Sequence, residues 1–322
     1  MTNVAACHAS LIDSRSPVGD AGRAFFQANG YLQVDDVADP VEVDRMKSIL
    51  AEMFARKIGL AEGAQFNLVG SKAQPDDVQF PQIINPHNYA AELRRTRYCE
   101  AATAIAREIL GPQARFADDH VLMKPALVGP VTPWHQDEAF RDPKFHYNEI
   151  SIWLALQPVD RNNGCMEFIP GTNLGEVLLH RSPNNDLSVH ALECHDGFDP
   201  ADAVAVPLRA GSCTVHGGRT LHCAGANRSM APRFAYVMIF NVPPVPVSSP
   251  REFPWLTQRR TDRDDRAQQW RSRGGMAVEL WRWAGKIDLR DRTRLAYDLK
   301  RAVRACRRAV FAASKGQNTK MP

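Results

Sequence analysis

Residues 132–137 read Thr-Pro-Trp-His-Gln-Asp, and two later stretches answer them: residues 210–222 (AGSCTVHGGRTLH) and residues 227–233 (NRSMAPR). In extended backbone successive side chains point to opposite faces, so His135 and Asp137 share one face. These two, with a third histidine from a distant strand, can hold one face of an octahedral Fe(II) and leave three positions open. His135, Asp137 and His222 are the candidate ligands. A bare His-x-Asp pair arises by chance in a chain of this length, and its ordinary reading is a strand histidine bonded to a neighbouring carboxylate. The order of the remaining pieces separates the two readings.

Outward from the first motif, the chain divides by pattern. Beyond residue 116 short apolar runs alternate with turns: 121–123, 150–156 (ISIWLAL), a DRNNG turn at 160–164, then 167–169, 212–216 and 234–241 (FAYVMIFN). Such spacing predicts a sandwich or jelly roll. Before it, Asp39-Pro40-Val41-Glu42 predicts a helix start with a cap, Pro at the first turn and an acid in capping-box position. Val43, Met46, Leu50, Met53 and Phe54 follow at helical spacing as core. A second helix is expected over 90–110, stopped by Gly111. Residues 61–90 carry Gly and Pro without a period and read as a long loop able to cover a pocket, with Gln82 in its second half. Helices first and strands later predict a mainly β domain with helices on one outer face.

Taken together, TPWHQD, the NGCMEFIPGTN of residues 163–173, AGSCTVHGGRTLH and NRSMAPR resemble the phytanoyl-CoA dioxygenase family. The resemblance implies a double-stranded β-helix (a cupin-like jelly roll) and an oxygenase using Fe(II), 2-oxoglutarate and O2, with release of succinate and CO2. It puts the iron ligands on His135, Asp137 and His222, and the arginine for the far carboxylate of 2-oxoglutarate on Arg233, eleven residues after the distal histidine. Trp153 and Lys124 fall on positions near the co-substrate. Many members carry Ser two residues after the distal histidine, where this chain has Ala224, so the far carboxylate is expected to lose a bond or find another hydroxyl. Arg suits that carboxylate because its planar, permanently charged fork can bind both oxygens. Asp137 supplies the carboxylate that related halogenases replace with Ala or Gly, so oxidation rather than halogenation is expected. Phe140, Arg141 and His146 follow the ligand pair and are candidates for the substrate side, with Arg219 at the pocket mouth. The other histidines, His120 and His216 among them, read as structural or surface groups.

The seven cysteines are scattered and odd in number, which favours reduced thiols and a cytoplasmic setting. Residues 1–20 lack a basic start followed by an apolar run, so no signal peptide is expected. A net charge of +4 is too small to imply nucleic acid. The expected organisation is a flexible arm over 1–20, the oxygenase domain over 21–242, a C-terminal extension over 243–313 and a disordered tail over 314–322. Within the extension, 243–275 reads as irregular and 290–311 as a basic amphipathic helix able to meet a membrane surface or an acidic partner. The leading functional expectation is hydroxylation of a small-molecule metabolite at an unactivated C–H bond. Desaturation, cyclisation or C–X cleavage by the same cofactors is one alternative, and a metal-binding jelly roll without turnover is another.

Overall fold

The computed structural model describes residues 8–9, 17–69, 80–249 and 251–284. The basic helix expected over 290–311 and the tail over 314–322 lie outside the described residues.

Two facing sheets form the jelly roll. The larger runs, strand by strand, His8–Ala9, Tyr31–Val34, Cys213–Gly217, Glu149–Ala155, Arg233–Asn241, Arg115–Lys124, Pro81–Ile84 and Gln65–Asn67. Its first pair is parallel and the rest are antiparallel. The smaller sheet runs Val204–Val206, Met166–Phe168, His222–Ala224 and Thr132–His135.

Period-two alternation splits the large sheet's side chains between two cores. Ile150, Ile152, Leu154, Phe234, Tyr236, Met238 and Val121 point outward into the helical layer, against Val43, Met46, Leu50 and Ile105. Trp153, Ala155, Ala235 and Val237 point inward, against Met166, Phe168 and Ala224 of the small sheet. Strands 149–155 and 233–240 are therefore buried on both faces, which is why they read as continuous apolar runs.

The N-terminal elements differ in detail from the sequence expectation. The helix Gly19–Asn29 closes on Gly30 at φ 81°, where an added Cβ would lie 2.5 Å from Thr220 Oγ1. Within the arm expected over 1–20, His8–Ala9 pairs beside the Tyr31–Val34 strand and this helix starts at Gly19. Asp39 caps the helix Pro40–Ala55 by accepting the Glu42 N–H at 2.9 Å. Glu42 does not close a capping box; its carboxylate accepts the N–H groups of Arg97 and Tyr98 and so seats the next helix. That helix spans Arg97–Leu110 rather than starting at 90, because Thr96 takes the cap position and a 3-10 turn, Ala91–Arg94, precedes it. The expected loop over 61–90 contains a pair of strands, Gln65–Asn67 and Pro81–Ile84, that extends the large sheet.

Residues 243–275 are not irregular throughout. Helices form at Pro254–Gln258, Asp262–Trp270 and Met276–Ala284, the second opened by a Thr261/Asp264 capping box. The helix Asp262–Trp270 escapes a periodicity search because arginines, more than an apolar stripe, anchor it. Arg263 donates to the Gly63 carbonyl (3.1 Å), and Arg266 to those of Leu60 (3.0 Å) and Gln65 (3.2 Å). Arg251 pairs with Glu138, and Trp255 Nε1 donates to the Ala139 carbonyl at 2.8 Å. This segment therefore packs on the turn that follows the first ligand motif.

Candidate metal centre

The strand carrying the first motif ends at His135, but Gln136 stays extended (φ −117°, ψ 131°) before Asp137 opens a 3-10 turn, Asp137–Phe140. Alternation thus holds one residue past the strand and delivers His135 and Asp137 to the same side. His222 arrives from the neighbouring strand of the small sheet, in direct register with His135. One ligand atom from each of the three lies within 4.8 Å of the others. The Nε2 atoms of His135 and His222 stand 3.7 and 3.8 Å from Asp137 Oδ1.

Hydrogen bonds behind the cluster fix its protonation. Nδ1 of His135 and of His222 each sits 2.8 Å from a backbone carbonyl, of Pro133 and Thr220. A carbonyl only accepts, so each Nδ1 carries the proton and each Nε2 presents a lone pair to the cluster. Burial pushes both imidazoles down, His222 well below the usual range, which keeps them neutral. For Asp137 burial acts upward, but it is outweighed by the hydrogen bond from His216 and by the surrounding imidazoles, and the carboxyl sits well below its usual range. Its Oδ2 accepts from Ser151 Oγ at 2.7 Å and faces His216 Nε2 at 3.4 Å, leaving Oδ1 turned toward the two ligand histidines. Two neutral imidazoles and one carboxylate are a donor set suited to Fe(II).

Beyond the cluster lies an unusual pair of cations. Arg233 and Lys124 are opposed in register on adjacent strands and are 2% and 0% exposed. Lys124 donates its ammonium protons to the carbonyls of Ala224 (2.8 Å) and Gly225. Arg233 has only a long bond to the Asn163 carbonyl (3.4 Å) and lies over Trp153, 5.4 Å from its ring. Neither has a carboxylate within ion-pair distance among the described residues. Burial pulls Arg233 down to about 9, and burial with the Arg233 charge holds Lys124 well below its usual range. Two desolvated cations without an anion make a pocket that favours one.

The expected substrate-side residues separate. Phe140 stands 6.1 Å from the His135 ring. Arg141 donates to Glu149 at 2.8 Å; burial works against its charge, but Glu149 and Asp118 outweigh it and push Arg141 up. Gln82 is buried, and its pairing with Leu122 sets it on the inner face with Lys124. His146 is exposed on a short outer strand paired with Val245, and no described contact brings it to the cluster. Arg219 is tied down rather than free at the mouth, pairing with buried Glu138 (3.3 Å) and donating to the Gly175 carbonyl. His216 and Ser151, in contact with Asp137, were not singled out as site residues by sequence reasoning. Nor was His120, which burial pushes down and which lies within electrostatic reach of Asp137 and Asp118. Counting back by twos from Lys124 would have found His120 and Asp118, and from Trp153 would have found Ser151.

Residues 26–235 match the family model described as phytanoyl-CoA dioxygenase (PhyH). A probable alpha-ketoglutarate-dependent hypophosphite dioxygenase of Stutzerimonas stutzeri is 26% identical over 203 residues, covering 62% of this chain and 70% of that protein. The crystal structure of EvdO2 from Micromonospora carbonacea var. aurantiaca, complexed with 2-oxoglutarate, is similar at TM-score 0.63 and 31% identity, over 74% of this chain and 97% of that one. The non-heme alpha ketoglutarate dependent epimerase SnoN from nogalamycin biosynthesis is similar at TM-score 0.51 and 26% identity, over 69% and 82%. With the jelly roll, the His-Asp-His cluster and the anion-seeking pocket beside it, the chain belongs to the phytanoyl-CoA dioxygenase family of Fe(II)- and 2-oxoglutarate-dependent oxygenases.

Proposed function

We propose that this oxygenase hydroxylates an unactivated C–H bond of a small-molecule substrate, with His135, Asp137 and His222 holding the iron and Arg233 holding 2-oxoglutarate. The observation that carries the reading is the buried Arg233, without a carboxylate partner among the described residues, beside a cluster whose three donors suit Fe(II). When bound, iron and 2-oxoglutarate would activate O2, one oxygen atom going into succinate as 2-oxoglutarate loses CO2 and the other into the substrate.

The chain's own part is positioning. Pro133 and Thr220 carbonyls fix the tautomers of the ligand histidines. Ser151 and His216 occupy Asp137 Oδ2, so Oδ1 is the atom presented to the metal. Arg233 anchors the far carboxylate of the co-substrate, and Trp153 stacks behind the guanidinium and excludes water. Lys124 holds the Ala224 and Gly225 carbonyls in place and adds its charge to the pocket. The missing serine at Ala224 thus leaves Arg233 as the principal anchor. Arg141, His120 and Phe140 border the open side, where the substrate's C–H bond must be presented.

Anaerobic addition of Fe(II) and 2-oxoglutarate to the metal-free protein tests this assignment. A visible iron-to-keto charge-transfer band is expected, lost in His135→Ala and weakened in Arg233→Ala. Folded wild-type protein without a band overturns the assignment. A different oxidation by the same cofactors is favoured by the similarity to the SnoN epimerase; the mass of the product decides between them, since hydroxylation alone adds one oxygen.

A further inference from the structure

The C-terminal helices bring two more arginines to the open side of the site. Arg259 follows the helix Pro254–Gln258, and Arg263 lies in the first turn of Asp262–Trp270. The Arg259 guanidinium stands 5.4 Å from the ring centre of Phe140, and that ring stands 6.1 Å from the ring of His135. Arg263 lies 5.1 Å from the ring centre of Phe66. His190 sits between the two aromatic walls, 6.0 Å from Phe140 and 4.4 Å from Phe66, and its buried Nδ1 has no hydrogen-bond partner among the described residues.

Each guanidinium is only partly used. Arg259 donates to the His190 carbonyl and Arg263 to the Gly63 carbonyl, one N–H group apiece, out of five that each side chain offers. Among the described residues neither has a carboxylate within ion-pair distance. Neighbouring acids are engaged elsewhere: Glu138 by Arg251 and Arg219, Glu149 by Arg141, and Asp264 by the Thr261 cap. Asp118, on the inner face, is within electrostatic reach of Arg263, His120 and Arg141 together. Burial pushes both Arg259 and Arg263 below the usual guanidinium range, against the opposing pull of Asp264, and neighbouring cations add to it: Arg263 for Arg259, and Arg271 and Arg266 for Arg263. Both act on His190, which burial and these two charges hold well below its usual range. Like charges brought together, desolvated and facing aromatic walls are tolerated when a ligand supplies the counter-charge.

We infer that Arg259 and Arg263 form the anion-binding end of the substrate site, so that the substrate is an acidic small molecule whose carboxylate or phosphate group lies against these guanidinium groups while its reacting carbon lies on the iron side of Phe140. The inference rests on the iron-site reading for the placement of the reacting carbon, but the anion site itself does not. Phe140 is common to both sites, 6.1 Å from the His135 ring and 5.4 Å from the Arg259 guanidinium, which puts the two within a metabolite's length of each other. Phe140 and Phe66 supply flat apolar walls for the part between, and planar guanidinium groups bind carboxylate or phosphate oxygens in pairs.

Calorimetric titration of the full-length protein tests it, using inorganic phosphate and hexanoate as probes in low-chloride buffer. The titration is run on metal-free protein and on protein loaded anaerobically with Fe(II) and 2-oxoglutarate, in which the co-substrate occupies Arg233. At least one probe is expected to bind the wild type in both states, and the probe that binds names the anion. Affinity is expected to fall at least tenfold in the double variant Arg259→Gln/Arg263→Gln, with the charge-transfer band retained. No binding of either probe by folded wild type overturns the inference, as does equal affinity in a double variant of unchanged circular dichroism. Should the double variant not fold, Arg259→Met and Arg263→Met are titrated singly; a folded single variant must bind at least threefold more weakly, and undiminished affinity is fatal. Loss of the charge-transfer band with anion binding intact would instead sink the iron-site reading and leave the anion site standing.

Discussion

Replacing Arg233 with methionine should make the ligand-free protein more stable and abolish its response to 2-oxoglutarate. Arg233 is 2% exposed and burial pulls it from the usual guanidinium range down to about 9, so at neutral pH it remains charged in a place that resists charge. At 1.36 kcal/mol per unit, that burial costs the native state at most about 5 kcal/mol. Against this stand the stacking on Trp153, worth up to about 2 kcal/mol, and one long hydrogen bond to Asn163, worth about 0.5 kcal/mol. Methionine keeps much of the side-chain volume and removes the charge, so a net gain of about 1–3 kcal/mol is expected, seen as a melting temperature higher by a few degrees. The ligand response should move the other way. Two charge-assisted hydrogen bonds to a carboxylate contribute roughly 1.5–3 kcal/mol each, so the affinity for 2-oxoglutarate falls by about 10²–10⁴. Wild type at a hundredfold excess over Kd gains about 2.7 kcal/mol, and the variant at the same concentration gains about 0.4 kcal/mol or less. Thermal melts of both proteins with metal, with and without 2-oxoglutarate, give all four numbers. A variant that melts lower without ligand, yet is still stabilised by 2-oxoglutarate as the wild type is, refutes the reasoning.

Three further outcomes follow from the geometry. His135→Ala and His222→Ala should each lose bound iron on dialysis while keeping the native circular dichroism, because both rings enter from well-packed sheet positions; retained stoichiometric iron would count against the cluster. Ser151→Ala frees Asp137 Oδ2 from its 2.7 Å hydrogen bond and should weaken metal binding about 10–100-fold without unfolding the sheet, measured by competition with a chromophoric chelator. His180 accepts the Gln136 N–H at Nε2 and is pushed down to about 4, mainly by burial, so the native ring stays neutral while the unfolded one takes up a proton. Its contribution is fully present above pH 6.5 and is lost as pH falls from 6.5 to 4, to a total of about 3 kcal/mol; in His180→Gln the slope of stability against pH across that window should flatten, and an unchanged slope would refute the assignment.

What the sequence disclosed about the fold depended on how each element earns its burial. The strands at 149–155 and 233–241 are legible because both faces are buried, which leaves an apolar run that nothing else in the chain resembles. The helix at 40–55 is legible because its cap and its stripe agree. The C-terminal helices were missed because the one at 262–270 is set by a capping box and by arginine-to-carbonyl bonds, with no buried residue of its own. The cluster of His135, Asp137 and His222 was legible from local pattern and resemblance. His216 was not, since its role comes from pairing opposite Ser151 across two strands, a relation that only register reveals. Arg259 and Arg263 were invisible for the same reason, being distant in sequence from everything they border.

Register also bears on how the proposed 2-oxoglutarate site and the inferred anion site are kept apart. Lys124, Leu122, His120 and Asp118 alternate along one strand and share its inner face, spanning about 20 Å at roughly 3.3 Å per residue. At the first level Lys124 opposes Arg233; at the next Leu122 opposes Ala235, itself opposite Ala155. The third level aligns His120, Val237, Trp153 and Thr214, and the fourth aligns Asp118, Ile239, Ser151 and His216. Asp137 is bonded at that fourth level, through Ser151. The two cations therefore stand at one end of the inner face and the mixed-charge wall of Asp118, Arg141 and Glu149 at the other, with the His-Asp-His cluster between them, since Lys124 donates to the carbonyl of Ala224, two residues from His222, and Asp137 is bonded to Ser151. A dicarboxylate gains at the first end only if it can also reach the cluster, a condition of length as well as charge. An acid held as inferred by Arg259 and Arg263 would approach from the Asp118 end, so the two anions would not compete for the same guanidinium. The separation follows from period-two alternation on a single sheet, and it requires no moving part.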